Sequence, residues 1–218
     1  MIFRDRVDAG RRLAEHLEKY RGEPGLVLAL PRGGVVVGAE VAAALNFPLD
    51  VIVVRKVGAP GNPEFGIGAV AETGDYEISE EVVRELWIPR SYVERAVQAE
   101  LEEVRRRVRL YREGRPLPPV EGRTVILVDD GVATGHTIRV GAIAVRRLNP
   151  KLVVIAVPVA PPEAIPRLQA VADDVICLAT PEPFLAVGRF YQRFEQIPDS
   201  QVIEILKSFR VEQPQTGN

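Results

Sequence analysis

The sequence predicts an α/β fold: a mostly parallel central sheet with helices on both faces, plus one helical insertion. Three observations carry that prediction. Short runs of β-branched and aliphatic residues recur along the chain, with helix-patterned stretches between them. These runs are apolar throughout rather than alternating, as strands covered on both faces are. One stretch, from Ser79 to Glu113, interrupts the alternation with two consecutive helical patterns.

In chain order, residues 8–19 place Ala9, Leu13, Ala14 and Leu17 at helical spacing. Residues 26–30 (LVLAL), closed by Pro31, predict a buried strand, residues 35–45 a small-residue helix and residues 50–54 (DVIVV) a second strand. Residues 68–72 read as a third. Ser79, followed by Glu80 and Glu81, is an N-cap with acids in the first turn. Ser91 and Glu94 form a capping-box pattern opening a long helix. Along it Val93, Val97, Leu101, Val104, Val108 and Tyr111 make one apolar stripe, and Glu102–Arg106 and Glu103–Arg107 are favourable i,i+4 pairs. The stripe has to be covered, either by the parent domain or by a second copy in a homodimer. Strands at 124–128, 152–157 and 175–178 then alternate with helices at 137–148 and 163–172, and a last helix is expected at 201–209. This gives a single domain over residues 1–210, an insertion at 79–116, a hood-like segment at 180–210 and a disordered tail at 211–218.

Composition narrows the function classes. The chain has 218 residues, 46% apolar and 27% charged, which suits a globular core and excludes a disordered protein. A net charge of −2 gives no reason to expect nucleic acid or an anionic membrane as partner. No apolar run approaches the roughly 20 residues a bilayer span takes. The charged start MIFRDRVDAGRR is not a secretory signal, and a lone Cys177 makes neither an internal disulfide nor a cysteine zinc cage. A cytoplasmic setting is expected. The basic run at 105–109 is preceded by Glu100, Glu102 and Glu103 and reads as a solvated helix face.

In open α/β sheets ligands bind beyond the carboxyl ends of the strands, so the residues after each strand matter most. After residues 124–128 come Asp129, Asp130, Gly131, Val132, Ala133, Thr134, Gly135, His136 and Thr137. Two acids end a hydrophobic strand, and a loop with two glycines and two threonines opens a helix. Glycine lets backbone approach a ligand closely, and successive N–H groups at a helix N-terminus favour an anion. Thr134 and Thr137 can donate hydroxyls to the same phosphate. The carboxylates can accept from ribose hydroxyls or hold a metal. His136 sits either against the anion or in solvent.

The stretch VILVDDGVATGHT resembles the thirteen-residue signature of the type I phosphoribosyltransferases. The resemblance implies that Asp129 and Asp130 serve the ribose hydroxyls of 5-phosphoribosyl-1-pyrophosphate, directly or around Mg²⁺, and that Ala133, Thr134, Gly135, His136 and Thr137 hold the 5-phosphate. Arg32, Gly33 and Gly34, after the first strand, resemble the family's pyrophosphate loop. Arg32 supplies a charged fork and the glycines unshielded N–H groups. Arg55 and Lys56 resemble the basic loop of adenine and orotate phosphoribosyltransferases. Residues 62–67 are similar to the mobile cover such enzymes close over substrate, with Gly58, Gly61, Gly66 and Gly68 permitting motion. The resemblance further implies a cis or strongly distorted Pro31–Arg32 peptide.

Two departures matter. Ala133 stands where hypoxanthine–guanine enzymes carry an aspartate, which weakens a 6-oxopurine acceptor. Residues 183–188 only loosely resemble the segment that stacks an aromatic on the base, and Phe184 is the base-binding candidate there. The implied reaction is Mg²⁺-dependent transfer of a phosphoribosyl group to a nitrogenous acceptor, with Arg32, Lys56, Asp129 and Asp130 as catalytic residues. The alternative is a non-catalytic protein sensing the same sugar phosphate or a nucleotide. Neither a P-loop nor a dinucleotide fingerprint is present, since Val35 stands where the latter needs its second glycine.

Overall fold

A computed structural model describes residues 1–210; the expected tail at 211–218 lies outside them. The chain begins with α1 (Arg6–Glu15), capped by Asp5, whose carboxylate accepts from the Asp8 N–H at 2.9 Å. There follow β1 (Gly25–Ala29), α2 (Gly33–Leu45), β2 (Leu49–Val51), β3 (Val54–Ala59), β4 (Asn62–Ala71) and β5 (Tyr76–Ile78). Next come α3 (Glu80–Glu85), α4 (Arg90–Arg112), β6 (Thr124–Val128), α5 (His136–Arg146) and β7 (Leu152–Val159). The described chain ends with α6 (Ile165–Gln169), β8 (Asp174–Ala179) and α7 (Asp199–Ser208). No helix among the described residues is long and apolar enough to cross a membrane.

The expected parallel sheet has the order β2-β1-β6-β7-β8, every pair parallel. Strands β1 and β6, with the last seven residues of β7, are buried throughout, and their two faces feed separate apolar clusters. From β1 the chain moves outward to β2; from β6 it moves the opposite way to β7 and β8. The direction of winding therefore reverses between β1 and β6, and a crevice opens beyond their carboxyl ends.

A second, antiparallel sheet of order β3-β4-β5 was not expected. The run at 50–54 is not one strand. Ile52 N–H still bonds Ala29 O in the first sheet, whereas Val53 O accepts from Glu72 N–H beside the second. The chain thus changes sheets within two residues. Continuous apolarity at 50–54 concealed the crossing, because both sides of it are buried. Residues 62–67 belong to β4 rather than to a loop. Two glycines flanking them serve close packing: a Cβ on Gly58 would lie 2.6 Å from the Pro63 backbone, and one on Gly68 would lie 2.1 Å from Glu77 O.

Helices α4 and α5 cover the two faces of this smaller sheet. Ala69 and Ala71 pack on Val140 and Ala144 of α5. Val57 and Val70 join the cluster that holds Val93, Val97, Leu101, Val104 and Tyr111 of α4. The stripe is therefore covered by its own domain. Helix α4 begins at Arg90 behind Pro89, with no side-chain cap, so Ser91 lies inside it and the capping box is not used. Arg107 pairs with Glu103 as expected, but Arg106 also turns to Glu103 rather than to Glu102.

The last turn of α4 fastens both sheets together. Arg112, 2% exposed, donates to Asp50 at 3.1 Å, to Glu72 at 2.6 Å and to the Val51 carbonyl at 2.5 Å. Removing one partner of such a buried network strands the remaining charges. Arg112→Met is expected to destabilise the fold by about 3–5 kcal/mol in urea denaturation. A loss of about 1 kcal/mol or less would instead class the network with exposed ion pairs.

Candidate active site

The loops that leave β1 and β6 meet in the crevice. The Pro31–Arg32 peptide is cis, as the resemblance implied. Gly33 and Gly34 then open α2 directly against the acidic pair. A Cβ on Gly33 would fall 1.9 Å from Asp130 Oδ2, and one on Gly34 would fall 3.1 Å from Asp129 Oδ1. Gly33 is thus required by the approach of the Asp130 carboxylate and Gly34 by the backbone of Val128 and Asp129, not only by access for a ligand.

Beyond them lies a cavity of about 360 Å³. Its floor is the run from Gly131 to Thr137, and Asp129, Lys56, Gly66 and Val187 form its walls. Gly135 caps α5 with φ +83°, a left-handed conformation that favours glycine, and the first residues of α5, His136 and Thr137, line the cavity. Ala133 and Thr134 are exposed there, and His136 is half-buried. Burial holds the His136 imidazole below its ordinary pKa, against a smaller upward pull from Glu77.

The acidic pair is electrostatically uneven. Burial and the neighbouring Asp130 charge push the Asp129 carboxyl well above the usual carboxylate range. Asp130 is also raised by burial, but Arg6 draws it back. Arg6 Nε donates to Asp130 Oδ2 at 2.7 Å and Arg6 Nη1 to the Glu195 carbonyl at 2.7 Å, with the guanidinium 3.9 Å from the centre of the Phe194 ring. The Tyr191 hydroxyl donates to the Asp130 carbonyl at 2.6 Å.

The expected cations separate. Lys56 reaches the cavity wall, but Arg55 points to the other face of β3, where it pairs with Glu100 of α4 at 2.8 Å. Adjacent strand residues face opposite sides, so one loop position could not deliver both. Arg32 stands at the head of α2, half-buried and off the cavity wall. Phe184 stacks on Phe190, ring centroids 5.2 Å apart, in the cluster around Phe3 and Tyr191; Val187 is the hood residue that lines the cavity. Sequence reasoning missed Arg6, Tyr191 and Val187. Arg6 and Asp130 are 124 positions apart, and no local pattern around Arg6 marks it.

The doubly wound sheet thus places a Gly/Thr loop at a helix head, Asp129 and Lys56 around one cavity, with Asp130 beside it. The chain matches the phosphoribosyl transferase domain family over residues 4–190 and belongs to that family. It is 42% identical over 205 residues to proteins from two strains of Mycobacterium tuberculosis that carry the provisional name of phosphoribosyl transferase. That stretch covers 94% of this chain and 46% of theirs, so the chain spans about half the length of these relatives. The crystal structure of TT1426 from Thermus thermophilus is 47% identical and has a TM-score of 0.81, covering 96% of this chain and 99% of that one.

The raised Asp129 has a consequence for stability. A carboxyl whose pKa is higher in the fold than in the unfolded chain favours folding only while protonated. Its cost therefore appears as pH rises above the ordinary carboxylate range. Asparagine keeps the shape and carries no charge. Asp129→Asn is expected to melt higher than wild type at pH 8, with the difference shrinking toward pH 4. Equal melting temperatures across that range would show that Asp129 bears no burial cost.

Proposed function

We propose that the protein transfers a phosphoribosyl group from 5-phosphoribosyl-1-pyrophosphate to a nitrogenous acceptor, releasing pyrophosphate. The observation that carries this reading is the single cavity that joins the amide-rich head of α5, the Asp129 carboxylate and Lys56. Those are the three chemistries a ribose 5-phosphate with an anionic leaving group calls for.

The residues divide the work. The Ala133–Thr137 run at the head of α5 anchors the 5-phosphate through backbone N–H groups and the Thr134 and Thr137 hydroxyls. Asp129 accepts from the ribose hydroxyls. Lys56 places positive charge at the wall where negative charge accumulates on departing pyrophosphate. Arg32 and the amides of Gly33 and Gly34 border the crevice from the β1 side. Val187, Val132 and Ala133 offer the acceptor an apolar wall. Such a transfer needs no protein nucleophile; it needs alignment and exclusion of water.

Magnesium fits this donor set. Among the described residues no three His, Cys, Asp or Glu side chains converge as a metal cage. Two adjacent carboxylates, one of them pressed upward by burial and repulsion, suit an ion that takes its remaining ligands from substrate oxygens and water. Asp129, with Asp130 beside it, would hold that ion, which when bound supplies charge neutralisation for the leaving group.

The test is calorimetry with 5-phosphoribosyl-1-pyrophosphate and Mg²⁺, followed by a panel of nitrogenous bases monitored for pyrophosphate release. Wild type is expected to bind the sugar phosphate and to release pyrophosphate with at least one acceptor. Asp129→Asn combined with Asp130→Asn is expected to lose binding while keeping its circular dichroism spectrum. Normal turnover in that double variant would remove the acidic pair from the site. Binding without turnover for any acceptor would instead favour a sensing role.

A further inference from the structure

The two acids of the pair are not equivalent in place. Asp129 lies on the cavity wall; Asp130 does not line the cavity. Asp130 is held at three points. Its carboxylate accepts from Arg6 Nε at 2.7 Å, its carbonyl accepts from the Tyr191 hydroxyl at 2.6 Å, and its N–H donates to Asp129 Oδ1 at 2.8 Å. Arg6 and Asp130 are enclosed, with side chains 10% and 15% exposed. The Gly33 backbone closes over both: a Cβ there would also lie 2.7 Å from Arg6 Nε. Arg6 itself is held by the Glu195 carbonyl and the face of Phe194.

We propose that Arg6 and Asp130 form one positioning unit that aims Asp129 into the cavity, and that Asp129 is the acid of the pair that meets the ligand. The path is short. Arg6 fixes the Asp130 side chain, the Tyr191 hydroxyl fixes its carbonyl, and the Asp130 N–H, thus oriented, holds one oxygen of Asp129. Asp129, on the cavity wall, is the acid presented to the sugar phosphate or its metal. The unit also ties the start of α1 and residues 191–195 to the site, so two segments far apart in the chain set the geometry of its centre. Charge-assisted hydrogen bonds with little access to water are the kind that hold such geometry.

This inference rests on the phosphoribosyl reading, and the experiment separates the two. Arg6→Met, Arg6→Lys, Asp130→Asn, Asp129→Asn and the Arg6→Met/Asp130→Asn double variant are titrated with 5-phosphoribosyl-1-pyrophosphate and Mg²⁺, with melting temperatures recorded. Loss of a charge-assisted bond predicts about tenfold weaker binding for Arg6→Met and for Asp130→Asn. Two residues acting as one unit predict a double variant no more than about twofold worse than either single variant. Arg6→Lys, which keeps the cation, is expected to recover much of the affinity, whereas Asp129→Asn abolishes binding. Wild-type affinity in Arg6→Met, losses that multiply to about a hundredfold in the double variant, or an Arg6→Lys as weak as Arg6→Met would overturn the proposal. If wild type itself takes no ligand, the phosphoribosyl reading falls, and hydrogen exchange at the Asp130 amide decides the positioning role. Faster exchange in Arg6→Met than in wild type supports the unit; equal exchange removes it.

Discussion

Between the loops that follow β1 and β6 there is room for carboxylates or for a side chain at Gly33, but not for both. A methyl group at that position would sit inside Asp130 Oδ2. Much of the site's arrangement follows from this exclusion. The two loops close on each other because the winding of the parallel sheet reverses between these strands, leaving neither covered by a crossover at its carboxyl end. With a glycine on one side, the acidic pair can lie in the crevice, and Arg6 can reach it from α1 at 2.7 Å. The same closeness buries the acids enough to raise them both, and it makes the Arg6 contact matter.

The second sheet solves a different problem. A cavity at the end of a parallel sheet has a floor and no roof. Strands β3 and β4 rise beside it and bring Lys56 and Gly66 to the wall, with α5 packed against one face and α4 against the other. What reads in the sequence as an insertion therefore supports the hairpin that carries the cavity lysine, Lys56. Arg55 shows the same coupling. It lies beside Lys56 in sequence, yet its pair with Glu100 joins the hairpin to α4. The Arg112 network closes the arrangement by holding the ends of β2 and β4 to the last turn of that helix.

The hood-like segment contributes less base-stacking surface and more restraint than its aromatic content suggests. Phe184 and Phe190 stack on each other beside Phe3 and Tyr191, and the backbone at Phe3 bridges to Tyr191. The Tyr191 hydroxyl ends on the Asp130 carbonyl. Aromatic side chains here join the Phe3 strand-bridge and the hood to the acidic loop, while the hood's share of the cavity wall is the aliphatic Val187.

The sequence by itself determined what local chemistry encodes. Apolar runs bounded by glycine and proline specify the parallel strands, helical spacing specifies the stripe of α4, and two acids before a Gly/Thr loop specify the turn that leads from β6 into α5. Each of these is a statement about neighbours along the chain, where backbone geometry sets which side chains share a face. Only the tertiary structure decided the crossing between sheets at residues 52–53, because burial on both sides of the crossing leaves no polar mark. It also decided that Arg55 and Lys56 part company across a strand, and that Arg6 serves Asp130. Those outcomes depend on residues far apart in the chain, up to 124 positions for Arg6 and Asp130. Their contact is set by the order in which strands wind, and no local pattern records that order.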